Sequence, residues 1–323
     1  MSKSDAKLRL QREEPYAKRR RLGPTKCDVC CSDSTGTHSH DSRFWFGDGD
    51  IVFRVQDALF KVHRSKLRCS TVLWDMFELP QPAQVDNIDG CPLVVMAGDT
   101  AKDWSMVFRW IYDPSGFATQ AGVFDVLAGA LRIATKYDMP ALRESAIQSL
   151  QFRWPSSPAS MTLNAFSNAA EAISLARECD VPSIRPAAFY ALSIQRWSYD
   201  AEGGSSLLRL SPEDARRLIC GQQLLNNFHL QIVVDPLASE TESGRTCDHC
   251  ASYMADYWRR KFTPDASSPH SCWMVKVLAD MILNNFDLSD VDVQICAPCQ
   301  SHHRALVYER LTVLVKEIPI IFR

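Results

Sequence analysis

The chain has 323 residues, of which 46% are hydrophobic, and its formal net charge is -2 at pH 7. This length and apolar content suggest about two domains with a sizeable core, and the near-neutral charge argues against a protein that coats nucleic acid. No run approaches the roughly 18 apolar residues of a membrane span, and the N-terminus is polar and basic where a secretory signal is apolar. We therefore expect an intracellular protein, nuclear or cytoplasmic, whose 12 cysteines are reduced thiols or metal ligands.

Residues 1–43 are predicted to form a disordered basic tail. Four consecutive cations at 18–21 stand in a run without apolar periodicity, which suits either a nuclear-import signal or a solvated tail. The next segment contains residue types that bind zinc but has no second well-spaced pair. A metal site and ordinary thiols are therefore both alternatives there. These residues are Cys27, Cys30, Cys31, His38 and His40.

Residues 51–62 predict a β-hairpin. Apolar side chains alternate with other residues in 51–55 and again in 59–62, on either side of a polar break at 56–58. After His63 the apolar spacing becomes helical, with Ser70 as a candidate N-cap. The apolar face of this helical stretch consists of Leu67, Leu73, Met76 and Phe77.

This stretch resembles the opening of a BTB (POZ) domain. The matching residues are Asp50, Phe60, His63, Arg64, Leu67 and Phe77, and a second matching motif, Lys-Tyr-Asp-Met-Pro-Ala-Leu, occupies residues 136–142. The resemblance implies an α+β domain over residues 44–153, with a small sheet flanked by helices. It also implies a charged interaction pocket formed by Asp50, His63 and Arg64 near a dimer interface.

The same resemblance bears on partners. It implies a homodimer, for which an apolar helix face around Leu67, Leu73 and Trp74 is the candidate surface, although the polar tail lacks the N-terminal helix and strand that dimers of the family often use. Family members that bind cullin usually carry an apolar-x-Glu motif after the helix that contains the Phe. Here the sequence is Leu79-Pro80-Gln81, and the missing acid argues against cullin binding.

Helical patterns fill the rest of the first domain and continue beyond it. A buried strand at 93–96 precedes two helices whose apolar faces contain Trp104, Val107, Phe108 and Ile111, and then Leu127, Ala130, Leu131 and Ala134. Residues 130–146 align without gaps to 172–188, with Pro140 and Pro182 near the start of the second helix of each copy. We interpret the second copy as part of a helical extension at 160–234, similar to the BACK-like region that follows many BTB domains.

Two Cys-x-x-Cys knuckles mark a C-terminal helical subdomain at 245–323. Cys247 with Cys250 and Cys296 with Cys299 each offer two thiolates, and together they make the ligand set of a structural zinc site. Because 45 residues separate the knuckles, ordinary cysteines remain the alternative. Further ligand candidates are His249, Cys272, His302 and His303.

No phosphate-binding glycine loop, nucleophile elbow or H-E-x-x-H motif is present, so we expect a protein that is not an enzyme and has no small-molecule substrate or cofactor other than zinc. The main hypothesis is a protein–protein interaction scaffold that self-associates and recruits protein partners. The alternatives are a substrate adaptor of a cullin-based ubiquitin ligase and a nuclear transcriptional regulator. The hypothesis of a transcriptional regulator is weakened because the sequence contains no visible DNA-reading motif.

Overall fold

The computed structural model describes residues 39–80, 86–195, 210–238, 246–263, 273–284 and 295–322. Over these residues the chain is α+β, mainly helical with a small five-stranded mixed sheet. None of the described helices is long and apolar enough to cross a membrane. Several predictions fall outside the described residues, namely the cationic run at 18–21 and the ligand candidates Cys27, Cys30, Cys31, His38 and Cys272.

The predicted hairpin is confirmed and forms the middle of the sheet. Strand β2 (Ile51–Val55) pairs antiparallel with β3 (Ala58–Val62), and the break between them is two residues long, one shorter than predicted. Strand β5 (Cys91–Val95) runs parallel to β2, and the short β4 (Asn87–Ile88) lies at that edge. Strand β1 (Ser39–Trp45) runs parallel to β3 at the other edge, which gives the order β1-β3-β2-β5-β4.

Strand β1 corrects the predicted end of the N-terminal tail. Residues 39–43 belong to this strand, where the backbone N–H of Ser39 donates to the carbonyl of Asp57. Phe44 is the strand's buried residue and lies 5.7 Å from the ring of Phe108. An edge strand with one buried side chain carries no alternating pattern, so the sequence did not indicate it. The hairpin is thus preceded by a strand, contrary to the expectation above.

Helices cover the sheet and bury an aromatic core. They are α1 (Thr71–Glu78), which follows a 3₁₀ turn at Arg64–Cys69, then α2 (Ala101–Tyr112), α3 (Pro114–Gln120) and α4 (Phe124–Lys136). The Trp104 ring meets Phe53 edge-on at 5.4 Å, and Phe60 lies 5.1 Å from Phe108. Trp104, Val107 and Phe108 are buried, which confirms the predicted apolar face of α2. The sheet and these helices therefore enclose a first core.

The internal repeat appears as the same helix ending used twice. Helix α4 leads to α5 (Pro140–Arg153), and α6 (Ala169–Glu178) leads to a 3₁₀ turn (Pro182–Ile184) and α7 (Arg185–Ser193). At the end of α4 the N–H of Met139 donates to the carbonyl of Ala134 at 2.8 Å, and at the end of α6 Val181 donates to Ala176 at the same distance. Asp138 and Asp180, at φ 48° and 52°, supply the left-handed residue of this Schellman ending.

The remaining helices are α8 (Pro212–Val234), α9 (Asp248–Phe262), α10 (Met274–Leu283) and α11 (Ala297–Ile321). Ser211 accepts a hydrogen bond from the N–H of Asp214, which confirms the predicted N-cap of α8. Pro319 was expected to end the last helix but lies inside α11. In the final turn a proline removes only one intrahelical hydrogen bond, so the helix continues past it.

Helices α5 to α11 enclose a second apolar core, and α4 and α5 contribute residues to both cores. At the end of α11 the ring of Phe322 stacks on Phe189, with centroids 5.4 Å apart. A Cβ at Gly221 would lie 2.0 Å from that ring. Glycine at this position of α8 therefore allows the C-terminal end of α11 to pack into the core.

Candidate metal centre

Four cysteines from the two knuckles meet at one place. The Sγ atoms of Cys247, Cys250, Cys296 and Cys299 all lie within 4.8 Å of one another. Cys250 and Cys299 are buried, whereas Cys247 and Cys296 are exposed. The fold thus brings together the two pairs that the sequence separates by 45 residues, as the zinc hypothesis requires.

The sulfur–sulfur distances fit a shared metal better than disulfides. Cys247 Sγ lies 3.6 Å from Cys299 Sγ and 3.8 Å from Cys296 Sγ, and Cys250 Sγ lies 3.8 Å from Cys296 Sγ. A disulfide bond is about 2.05 Å long, and all four residues are free thiols. In a tetrahedron of sulfurs at about 2.3 Å from zinc, the edge is about 3.8 Å. The observed separations therefore match the ligand shell of a four-thiolate zinc ion.

The two knuckles have the same local structure, which explains why they converge. Cys247 and Cys296 are the N-caps of α9 and α11, and both have φ -68° and ψ 152°. Each N-cap carbonyl accepts a 3.0 Å hydrogen bond from the N–H four residues later, Ala251 or Gln300. Both helices therefore begin at the sulfur cluster, and the positive ends of their dipoles favour thiolates there.

The sulfurs differ in how readily they ionise. Hydrogen bonding, above all from the backbone N–H of Cys250, lowers the pKa of Cys247 to about 7. Burial, followed by contacts with the neighbouring cysteines, raises the pKa of Cys299 to about 12. Without a cation, four thiolates this close would repel one another, whereas a divalent ion compensates their charge. The donor set and its geometry therefore suit a soft or borderline divalent metal.

Apolar side chains shield the buried side of the cluster. Met254 and Ile295 pack with Cys250 and Cys299, and Leu237 from the turn after α8 lies against them. Zinc–thiolate sites that have four protein ligands leave no position open for a water molecule or substrate. A metal ion bound by these four sulfurs would accordingly be structural.

The other ligand candidates lie apart from the four sulfurs. His249 is exposed and approaches the ring of Tyr253. His303 is buried between the rings of Tyr257 and Trp258, and burial lowers its pKa to about 4. His302 is also buried in α11. Among the described residues, the group with metal-binding geometry contains the four cysteines alone.

The three residues predicted to form a charged pocket make separate contacts. The carboxylate of Asp50 accepts a 2.7 Å hydrogen bond from the backbone N–H of Arg64, and the Arg64 guanidinium instead donates to the carbonyl of Phe77 and lies over its ring. His63 contacts the hydroxyl of Tyr112 and the carboxylate of Asp48. Asp50 and Arg64 are neighbours, but no ion pair among the described residues joins their side chains.

The predicted dimer surface on α1 and the 3₁₀ turn before it is wrong. Leu67 and Leu73 are fully buried in the first core. Trp74 is half-buried, and the guanidinium of Arg68 lies 4.4 Å from its ring. The apolar residues at helical spacing face the sheet, as core residues do, so this face is not available to a second chain.

A buried polar network at Asp99 was not predicted from the sequence. Its carboxylate accepts hydrogen bonds from Lys136 and Tyr137 at 2.6 Å and from the Trp104 indole at 3.0 Å. Asp99 lies in the loop before α2, where no periodic pattern singles out a residue. The sequence signal for this network was the Lys136-Tyr137 pair of the second motif. The fold shows that both side chains bind the Asp99 carboxylate.

Comparison with protein-family models, with curated proteins and with solved structures finds no match to this chain.

Proposed function

We propose that this protein is a non-enzymatic interaction scaffold built on a BTB-like α+β domain. The N-terminal half would supply self-association, and the helical half would recruit protein partners. The proposal extends the sequence resemblance, and it includes a structural zinc ion bound by Cys247, Cys250, Cys296 and Cys299.

One observation carries the first part of the proposal: the two motifs behind the resemblance contact each other. The hydroxyl of Ser70 donates to the carbonyl of Tyr137 at 2.5 Å, and the backbone N–H of Thr71 donates to the carbonyl of Asp138 at 3.2 Å. The start of α1 is thus fixed to the end of α4, although 67 residues separate them. Two segments that resemble one family in order and spacing also contact each other in the fold, which supports the proposal of a BTB-like domain.

Self-association is tested by the mass of the full chain in solution. We expect light scattering after size exclusion, at tens of micromolar protein, to give twice the chain mass of 36.4 kDa. A single-chain mass across the whole concentration range would contradict self-association. Chemical crosslinking followed by mass spectrometry would then identify the interface, which has to lie outside the buried Leu67 and Leu73 face.

Zinc at the cysteine centre would join the start of α9 to the start of α11. Its chemistry there is that of a Lewis acid with a closed ligand shell, which holds chain segments in place. Cys247 and Cys250 would anchor one helix and Cys296 and Cys299 the other. What supports this part of the proposal is the agreement between the 3.6–3.8 Å sulfur separations and the tetrahedron edge.

A further inference from the structure

The solvent-facing side of α8 is uncharged and largely apolar. Residues 218–234 of this helix contain no Asp, Glu, Lys or Arg, whereas the exposed side of a helix in a globular protein normally carries charges. Four large apolar side chains are exposed by half or more in the single chain, namely Ile219 (63%), Leu224 (50%), Leu230 (55%) and Val234 (74%). Such a face has the composition of a contact surface. It is named here the α8 stripe and consists of exposed residues that recur every three or four positions: Ile219, Cys220, Gln223, Leu224, Asn227, Leu230, Gln231 and Val234.

A groove lies beside the C-terminal half of the α8 stripe, between α8 and α11. Its volume is about 500 Å³, and Phe228, Leu230, Val234 and Val313 form its apolar lining, which polar side chains from both helices complete. The N-terminal half of the stripe instead presents the exposed side chain of Leu224. One half of the stripe therefore offers a groove, and the other half offers an apolar side chain that such a groove accommodates.

The α8 stripe is self-complementary about Asn227. Side chains of the same kind, or of similar apolar character, lie at equal distances on either side of this residue. If two copies of α8 pack antiparallel with Asn227 opposite Asn227, each such side chain meets its counterpart on the second copy. Leu224 of each copy then lies opposite the groove of the other copy. The pairs are Leu224 with Leu230, Gln223 with Gln231, and Cys220 with Val234.

The charges at the two ends of the α8 stripe favour the antiparallel orientation. Arg216 precedes the stripe and Asp235 follows it, and both are exposed. Neither forms an ion pair with another residue in the part of the chain that the structure describes. In the antiparallel pair Arg216 of one copy lies within about one helical turn of Asp235 of the other, and the helix dipoles are opposed. A parallel pair would instead place like charges side by side, which is unfavourable.

We propose that the α8 stripe is an interface between two copies of this chain, which pack antiparallel about a two-fold axis at Asn227. Leu224 of each copy enters the groove between α8 and α11 of the other. The two Asn227 side chains face each other at the axis, where each amide can donate to and accept from the other. The inference rests on the self-association part of the proposed function, to which it adds a contact in the helical half.

The full-length variant Val234→Cys tests the antiparallel pairing by disulfide formation. Positions 220 and 234 of one chain are about 21 Å apart along the helix axis, so a disulfide between them has to join two chains. We expect oxidised glutathione to convert this variant into a covalent dimer, in which mass spectrometry finds the peptide of Cys220 joined to the peptide of position 234. The double variant Cys220→Ser, Val234→Cys should not form this link. Its absence from Val234→Cys as well would overturn the inference.

The single variants Leu224→Lys and Leu230→Glu test the same pairing in solution. Each places a charge opposite a leucine of the second copy and should raise the dissociation constant of the dimer, measured by sedimentation, by about tenfold or more. An equimolar mixture of the two variants should recover association, because the lysine of one copy then faces the glutamate of the other. The matched control is Phe152→Lys, which alters an exposed apolar residue of α5 and should keep the wild-type dissociation constant.

The outcomes separate this inference from the proposed function. Recovery in the mixture would support the antiparallel pair and would show that both single variants are folded. Unchanged dissociation constants in both single variants, or no recovery in the mixture, would overturn the α8 interface but leave self-association through another surface intact. A wild-type protein that stays a single chain at every concentration would contradict self-association itself, and with it the α8 interface.

Discussion

At the scale of single residues, Asp99 shows how one buried carboxylate links separate elements. Its side chain is 4% exposed and receives hydrogen bonds from α2, through Trp104, and from the end of α4, through Lys136 and Tyr137. Burial acts to raise the pKa of Asp99, but the hydrogen bonds from Lys136, Tyr137 and Trp104 together outweigh burial and keep the pKa below its usual value. The ionised form is therefore the one that the fold stabilises.

We predict that Asp99→Ala lowers the free energy of unfolding by about 3 kcal/mol at pH 7, because it leaves buried donors without their charged acceptor. Chemical denaturation at pH 7 measures this loss. The control is Asp125→Ala, which removes an exposed partner of the exposed Lys102 and should change stability by less than about 0.5 kcal/mol. Similar losses in both variants would show that the Asp99 network contributes little.

The pH dependence of the Asp99 contribution has a definite sign. Because the folded pKa of Asp99 is lowered, its contribution is present above the unfolded value of about 3.9 and is lost as the pH falls toward the folded pKa. Burial, and then the hydrogen bond to Asp99, raise the pKa of Tyr137 to about 12, so its contribution is lost only as the pH rises from about 10 toward that value. The difference between wild type and Asp99→Ala should thus shrink in acid.

At the scale of elements, the repeated helix ending allows a matched pair of substitutions. Asp138 and Asp180 both have positive φ at the position where glycine is usual. The Asp138 carboxylate accepts a hydrogen bond from the hydroxyl of Thr71, whereas the side chain of Asp180 has no hydrogen-bond partner among the residues that the structure describes. Among the described residues, the side chain at this position therefore makes a tertiary hydrogen bond in one copy and none in the other, where only the carbonyl of Asp180 accepts a hydrogen bond, from Arg143 at 3.1 Å.

We predict that Asp180→Gly raises the free energy of unfolding by about 0.5–1 kcal/mol, because glycine adopts the left-handed region without steric cost. Asp138→Gly removes the same steric cost but also removes the Thr71 hydrogen bond, which contributes about 1 kcal/mol. Its net effect on the free energy of unfolding should therefore be near zero or destabilising. Urea denaturation of the two variants measures the difference. Equal changes in both would mean that the Thr71 contact does not stabilise the fold.

The sequence predicted elements whose pattern is local. The hairpin, the apolar face of α2, the Ser211 N-cap and the paired prolines were all visible because spacing of two, three or four residues determines them. Strand β1 was missed because an edge strand needs only one buried side chain, and Asp99 was missed because its role depends on partners tens of residues away. The cysteine cluster was proposed from the sequence because each knuckle is local, but only the fold shows that the knuckles meet.

At the scale of the whole molecule, the two cores should respond differently to loss of the proposed zinc ion. The first core contains the sheet and does not include the cysteines, whereas the four sulfurs lie where α9 and α11 begin, and both helices pack into the second core. The far end of α11 is held separately by Phe322 against Phe189 and Gly221. Removing the metal should therefore loosen the helix starts first and leave the sheet intact.

We predict that purified protein contains one zinc per chain, and that a chelator lowers its melting temperature in a way that added zinc reverses, because metal bound only to the folded state stabilises it by mass action. After zinc removal, amide hydrogen exchange should increase in the first turns of α9 and α11 but not in β2 and β3. Zinc would connect two helices of the second core and none of the first. The double variant with Cys250→Ser and Cys299→Ser should contain no zinc, and the chelator should not change its melting temperature. The control variant Cys220→Ser alters an exposed cysteine of α8 outside the cluster and should behave as the wild type. A zinc content near zero in the wild type, or one that the double substitution leaves unchanged, would show that these cysteines are ordinary thiols.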